Sequence, residues 1–191
     1  RLEFGVEAGK FAVSPYHTSY SYGARFAYHL TEYFGIETFY NQSNSSLNKH
    51  GTQINDFLTS RSFTSTKEFR EPRWYTGAGL IWSPIYGKFA FFRSNIIHYD
   101  FHAVGGLSMI HTDTNVTAAN GGKNQNSLGS LLSVGMSVFL SKSWIWRFDV
   151  RQNIYRVTFA PTSTVGNGEK VTLVNYQFTT GLSYLINLGG F

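Results

Sequence analysis

The chain has 191 residues, of which 42% are apolar, 17% aromatic and only 14% charged, with a formal net charge of +5. An ordinary soluble domain carries about 25% charged residues, and no run here approaches the roughly 18 apolar residues that a spanning helix needs. The absence of cysteine excludes disulfides, thiolate metal sites and a cysteine nucleophile, and the scattered basic residues form no stripe for nucleic acid.

In chain order, the dominant signal is alternation. Side chains on a strand point to opposite faces in turn, so a period of two marks an amphipathic strand. The first segment sets Leu2, Phe4, Val6 and Ala8 against Glu3, Gly5, Glu7 and Gly9. The second sets Tyr20, Tyr22, Ala24, Phe26 and Tyr28 against Ser19, Ser21, Gly23, Arg25 and Ala27. The third opposes Phe34, Ile36 and Tyr40 to Gly35, Glu37 and Asn41, and the fourth opposes Trp74, Ala78, Leu80 and Trp82 to Tyr75, Gly77 and Gly79. In the fifth, Tyr99, Phe101, Ala103, Leu107 and Met109 oppose His98, Asp100, His102, Gly106 and Ser108. The sixth carries Leu128, Leu132, Val134 and Met136 against Gly129, Ser133, Gly135 and Ser137. The seventh carries Trp144, Trp146, Phe148 and Val150 against Arg147, Asp149, Arg151 and Asn153. The eighth carries Val174, Tyr176, Phe178, Leu182 and Tyr184 against Asn175, Gln177, Thr179, Gly181 and Ser183. Eight strands of this kind predict one all-β domain over residues 1–191, an eight-stranded antiparallel barrel.

Such a barrel is either soluble with an apolar interior, as in lipocalins, or transmembrane with an apolar exterior. The polar face pairs Glu3, Glu7, Glu37, Asp100 and Asp149 with Arg25, Arg147 and Arg151 among many Gly and Ser residues, which suits a crowded lumen better than a solvated surface. On the apolar face, Trp82, Trp144, Trp146 and Tyr184 fall at one rim and Tyr20, Tyr40 and Trp74 at the other, the two aromatic girdles of a membrane barrel. Connections alternate too. Residues 31–33 and 141–143 are short, whereas 41–72, 112–127 and 158–170 are long and polar, the pattern of short periplasmic turns and long external loops. The sequence therefore reads as a transmembrane barrel of a bacterial outer membrane; no signal peptide is visible before the first strand, so the expectation is a mature chain or one whose targeting segment was removed. Thr180-Gly181-Leu182-Ser183-Tyr184-Leu185-Ile186 and the terminal Phe191 resemble the signal read by the bacterial barrel-assembly machinery, which makes that machinery an expected partner during biogenesis.

The connection between the fourth and fifth strands departs from the short-turn pattern. Over Ser83 to Asn95, Ile85, Phe89 and Phe92 recur at helical spacing with Lys88 and Arg93 on the polar side. This predicts a short amphipathic helix in the inner-leaflet headgroup region, with an ordered apolar turn capping the barrel floor as the alternative. The same stretch, Trp82-Ser83-Pro84-Ile85-Tyr86-Gly87-Lys88-Phe89 followed by His98-Tyr99-Asp100-Phe101 and Gly105-Gly106, resembles the outer-membrane β-barrel domain family of myxobacteria and predatory delta-proteobacterial relatives. The resemblance covers roughly residues 74–110. It implies an outer-membrane location in a Gram-negative cell and supplies no active-site residues.

Candidate chemistry is sparse. His98, Asp100 and His102 share one face of the fifth strand, a pattern that could hold a metal or serve acid–base work, but residues two apart on a strand lie roughly 6.5–7 Å apart. A lumen charge network of Glu3, Glu7, Arg25, Glu37, His98, Asp100, His102, Arg147, Asp149 and Arg151 is the expected role. His17, Ser19 and His111, with Asp113 beyond, fall near the outer rim, where lipid-modifying barrel enzymes keep their His with Ser or an acid; no motif orders them. Phe57, Leu58 and Phe63 hint at a hairpin within the longest loop. Val104, Ile110, Leu131, Phe139 and Ile145 fall on the nominal inner face, either packed in the lumen or helping barrels associate into a ring. Eight strands leave an interior that side chains fill. The expectation is thus a non-enzymatic barrel without cofactor or metal, with outer-membrane phospholipid and lipopolysaccharide as partners. Its role is structural, lipid-organising or surface-interacting, and association as a homo-oligomer is open. A porin-like transport assembly and a lipid-modifying enzyme are the alternatives.

Overall fold

The computed structural model describes residues 1–12, 17–47, 52–53, 57, 70–91, 95–114, 124–158 and 170–186. The expected alternation becomes eight strands: β1 (Leu2–Phe11), β2 (His17–His29), β3 (Phe34–Leu47), β4 (Arg70–Phe91), β5 (Asn95–Thr114), β6 (Gln125–Phe139), β7 (Trp144–Thr158) and β8 (Lys170–Ile186). Each pairs antiparallel with its sequence neighbours, and β8 pairs with β1, closing the ring. Several strands reach further than the alternation suggested, so β3 and β5 run into segments expected to be loop. The hairpin expected around Phe57, Leu58 and Phe63 lies outside the described residues except for Phe57, which is exposed. Phe191 lies outside them as well.

Closure fixes the stagger. Stepping across the sheet from Leu2 leads through Tyr28, Ile36, Leu80, Gly105, Leu132, Gln152 and Tyr176, and returns to β1 at Ala12, ten residues from the start. Strand number and stagger together set tilt and width, and eight strands enclose a space that side chains fill. Inward positions are accordingly buried, among them Glu3, Arg25, Tyr75, Leu131 and Arg147, while outward apolar residues such as Val6 (66% exposed) and Leu128 (71%) stand free. A water-soluble protein could not present this continuous apolar wall without associating. A closed barrel in lipid can, because no strand edge is left unpaired along the wall.

The two short turns at the lower rim are built alike. Leu30 and Thr31 donate their backbone N–H to Phe34 O, and Leu140 and Ser141 donate theirs to Trp144 O. In each, the hydroxyl at the turn's start accepts from the closing backbone: Thr31 Oγ1 from Phe34 N (2.9 Å) and Ser141 Oγ from Trp144 N (3.1 Å). These are Ser/Thr turns, in which a side-chain oxygen satisfies backbone donors.

Between β4 and β5 the structure corrects the expected amphipathic helix. Sheet pairing between β3 and β4 ends at Phe34–Trp82, and that between β6 and β5 ends at Phe139–His98. β4 and β5, however, remain paired with each other down to Phe91–Asn95. Below the Lys88–His98 pair the segment is a two-stranded ribbon projecting past the rim, whereas between Ser83 and that pair β5 is still covered by β6. Ile85 and Phe89 do share a face, because a spacing of four satisfies a strand as well as a helix; Lys88 lies on the opposite face. Phe92 and Arg93 are outside the described residues. β4 leaves β3 at a bulge, where Ser83 and Pro84 together face His102: the register jumps from Trp82–Ala103 to Ile85–Phe101. A bulge adds a residue and accommodates a proline that has no N–H to donate. It also inverts the inside–outside parity of β4, so that Ile85 and Phe89 continue the outer face begun by Trp82.

Candidate functional site

The lumen has two layers. The lower one, toward the short turns, holds four buried carboxylates (Glu3, Glu7, Glu37, Asp149) against three buried guanidiniums (Arg25, Arg147, Arg151). They come from β1, β2, β3 and β7, brought together by the closure of the ring. Arg25 Nη1 lies 3.2 Å from Glu7 Oε2 and 3.1 Å from Asp149 Oδ2. Arg147 reaches Glu37 at 3.0 Å and Glu3 at 3.5 Å. Arg151 forks onto both oxygens of Glu7, with Nη2–Oε2 at 2.9 Å, and approaches Glu37 at 3.5 Å. The planar guanidinium supplies several fixed donors and suits such shared, bidentate contacts. Every buried carboxylate is engaged by at least one arginine.

His102 joins this layer, Asp100 touches it through His102, and His98 stays apart. Its Nε2 lies 2.6 Å from Asp149 Oδ1, and its Nδ1 lies 3.3 Å from Ser137 Oγ and 3.5 Å from Asp100. The His102–Asp149 contact spans β6 and passes over Gly135, where a Cβ would collide with both partners. His98 sits lower, on the ribbon, hydrogen-bonded to and stacked on Tyr86 with ring centroids 5.6 Å apart. Asp100 is half-buried between the two. Among the described residues, no three His, Asp or Glu side chains converge to hold a metal ion.

The upper layer is apolar and aromatic. Phe11, Phe39, Tyr75, Ile110, Leu131, Tyr155 and Val157 are buried in one cluster. Tyr75 packs edge-on against Phe11 (5.4 Å) and Phe39 (5.7 Å), and the Arg151 guanidinium lies 4.1 Å from the Phe39 ring centre, joining the layers. The hydroxyls are satisfied within the lumen: Gln177 Nε2 donates to Tyr75 Oη and, at 2.6 Å, to Ser21 Oγ, while Asn175 Nδ2 donates to Tyr155 Oη at 2.6 Å. Of the inner-face apolar residues that admitted two readings, Val104, Ile110, Leu131 and Ile145 are buried inside the lumen, and Phe139 is half-buried at the rim. The sequence reading missed Phe11, Phe39, Tyr155 and Val157 as lumen residues, although their odd positions within β1, β3 and β7 carried that signal.

On the outer wall, Trp82, Trp144, Trp146 and Tyr184 ring the lower rim, with Trp144 and Tyr184 in edge contact at 5.2 Å and Trp146 Nε1 donating to Thr180 Oγ1 at 2.9 Å. Tyr20, Tyr40 and Trp74 lie toward the upper rim, Tyr40 stacked on Trp74 at 6.3 Å and Trp74 on His111 at 5.4 Å. His111 Nε2 is 3.2 Å from Asp113 Oδ1, which also pairs with Arg73. Ser19, by contrast, faces the lumen and bonds Ser45, so the structure separates it from His111. The side chain of His17 is outside the described set.

No protein-family model and no curated protein matches this sequence. Among solved structures, the chain is similar to the N-terminal β-barrel domain of OprF from Pseudomonas aeruginosa: 10% identity over 95% of this chain and 96% of that one, TM-score 0.52. It is similar also to the Neisserial surface protein A, NspA, with 11% identity over 97% and 96% of the two chains and TM-score 0.52. At these identities the likeness is one of fold. Together with the apolar wall, the girdles and the closed ring, it makes this chain an eight-stranded transmembrane barrel of the bacterial outer-membrane type.

Proposed function

We propose that this barrel has a structural, lipid-organising role in the outer membrane, holding inner-leaflet phospholipid on its wall and presenting its long loops to lipopolysaccharide and the cell surface, without catalysis. The filled lumen carries the reading: an ionic layer and an apolar layer, stacked and buried, occupy the space through which a solute would pass. The Trp82–Phe89 and His98–Phe101 strings that resemble the myxobacterial and predatory delta-proteobacterial barrel family build the projecting ribbon, so membership of that family is part of the proposal. Assembly of the nascent chain by the barrel-assembly machinery is part of it too. The test is a deletion strain. Loss of the protein should raise outer-membrane uptake of a hydrophobic dye, and the purified barrel should give no porin-sized steps in planar bilayers and no release of acyl chains from labelled lipid A. Unchanged dye uptake, channel steps or lipid turnover would each overturn the reading.

A homo-oligomeric ring is the second reading, favoured by one observation. Below Ser83, among the described residues, β4 is paired with β5 alone and its other edge has no strand beside it. Such an edge is a template for strand addition. Mass measurement of the detergent-solubilised protein, with and without a Phe89→Pro change that blocks pairing, tests it: a multimer lost in the variant is expected, and a monomer in both sinks the reading.

A further inference from the structure

An apolar groove of about 540 Å³ lies on the outer wall. Its floor is a single cross-strand row of small side chains, Ala103 on β5, Val134 on β6 and Val150 on β7, running from Trp82 on β4 to Phe178 on β8. The row below it, Phe101, Met136 and Phe148, is bulky and forms a ledge. Short side chains in one row beside long ones in the next make a furrow across the sheet.

The direction of this furrow follows from the stagger. Trp82 is the last β4 residue paired with β3, opposite Phe34 at the lower rim, whereas Phe178 is opposite Lys10, one residue from the far end of β1. The row crosses four of the ring's eight steps, so it rises by about half of the ten-residue stagger. At ~3.3 Å per residue and a strand tilt of ~40° that is about 13 Å of height, close to one leaflet of a hydrocarbon core of ~30 Å. Four interstrand steps of ~4.8 Å give it a length of roughly 19 Å, that of an extended fatty-acyl chain. It opens at the Trp82 girdle, the level of the headgroups, beside the foot of the projecting ribbon.

We infer that this groove is a binding site for one acyl chain of a phospholipid of the periplasmic leaflet, its glycerol at Trp82 and its methyl end toward Phe178. The occupant is argued from continuity: the groove is part of the wall that already faces lipid, and it runs from headgroup level into the hydrocarbon of that leaflet. Lipopolysaccharide sits at the opposite rim and would enter from the wrong end. The inference deepens the lipid-organising reading and rests on it.

The experiment is native mass spectrometry of the full chain, delipidated in detergent and given palmitoyl-oleoyl phosphatidylethanolamine. The wild type should keep one phospholipid per barrel at collision energies that strip the rest. Ala103→Phe combined with Val134→Phe should cut that retention about tenfold, and Val6→Phe, on the far wall, should leave it unchanged. Heat-dependent mobility on gels verifies folding, and Ala103→Leu alone replaces the double variant if that one fails to fold. Equal retention in wild type and filled groove would overturn the site, as would loss of all lipid from the wild type. A lipid-free dimer that the filled groove abolishes would assign the groove to a second copy and overturn it too. The readout needs only a folded barrel in detergent, so its failure would leave the dye-uptake result standing, and the reverse.

Discussion

The lower and upper halves of the lumen are lined by the same strands and filled by opposite chemistry. Below, Arg25, Arg147 and Arg151 and four carboxylates pair in a buried net; above, Phe11, Phe39, Tyr75 and Leu131 pack as an apolar core whose tyrosine is held by Gln177. The difference teaches how a barrel with lipid outside keeps a unique interior. Apolar packing fills space but tolerates rearrangement. A charge net accepts few geometries, because a buried charge without its partner is strongly unfavourable.

The largest test of that contrast is removal of one arginine. Arg147→Met or Arg151→Met should destabilise the barrel by about 3–5 kcal/mol, since each leaves buried carboxylates uncompensated; urea unfolding in lipid vesicles, followed by tryptophan fluorescence, measures it. A cost below that of an apolar truncation would mean the lower layer is wet. In the upper layer, Leu131→Ala should cost about 3 kcal/mol through lost burial and the cavity left behind, by the same assay. Gly135→Ala should cost about 2 kcal/mol, because its Cβ would meet the Phe148 backbone carbonyl as well as the His102–Asp149 contact. No change there would show that β6 and β7 can shift apart at this point together with the contact. The smallest effect concerns the seam between layers. A double-mutant cycle of Arg151→Met with Phe39→Ala should return a coupling of about 1 kcal/mol for the guanidinium over the ring, and zero coupling would make the two halves independent.

The projecting ribbon shows where local pattern misleads. Ile85 and Phe89 fit a helical face and a strand face equally, and only the pairing with Phe101 and Ile97 decides between them. The bulge at Ser83 and Pro84 then shifts the parity of everything after it, which no count of alternating residues can reveal in advance. His98, Asp100 and His102 look like one constellation in sequence because they share a face. The fold divides them: His102 reaches across Gly135 to a strand 47 residues away, and His98 turns to Tyr86.

From its residues alone the chain specified the number of strands, their inward and outward faces and the girdles, because alternation is a local property that each strand carries independently. Which inward residues meet was decided by ring closure. A stagger of ten residues brings Arg147 to Glu3 and Arg151 to Glu7 across the lower lumen, and sets the slant of the Ala103–Val150 furrow across the wall. Register is a relation between strands, fixed only when the last pairs with the first.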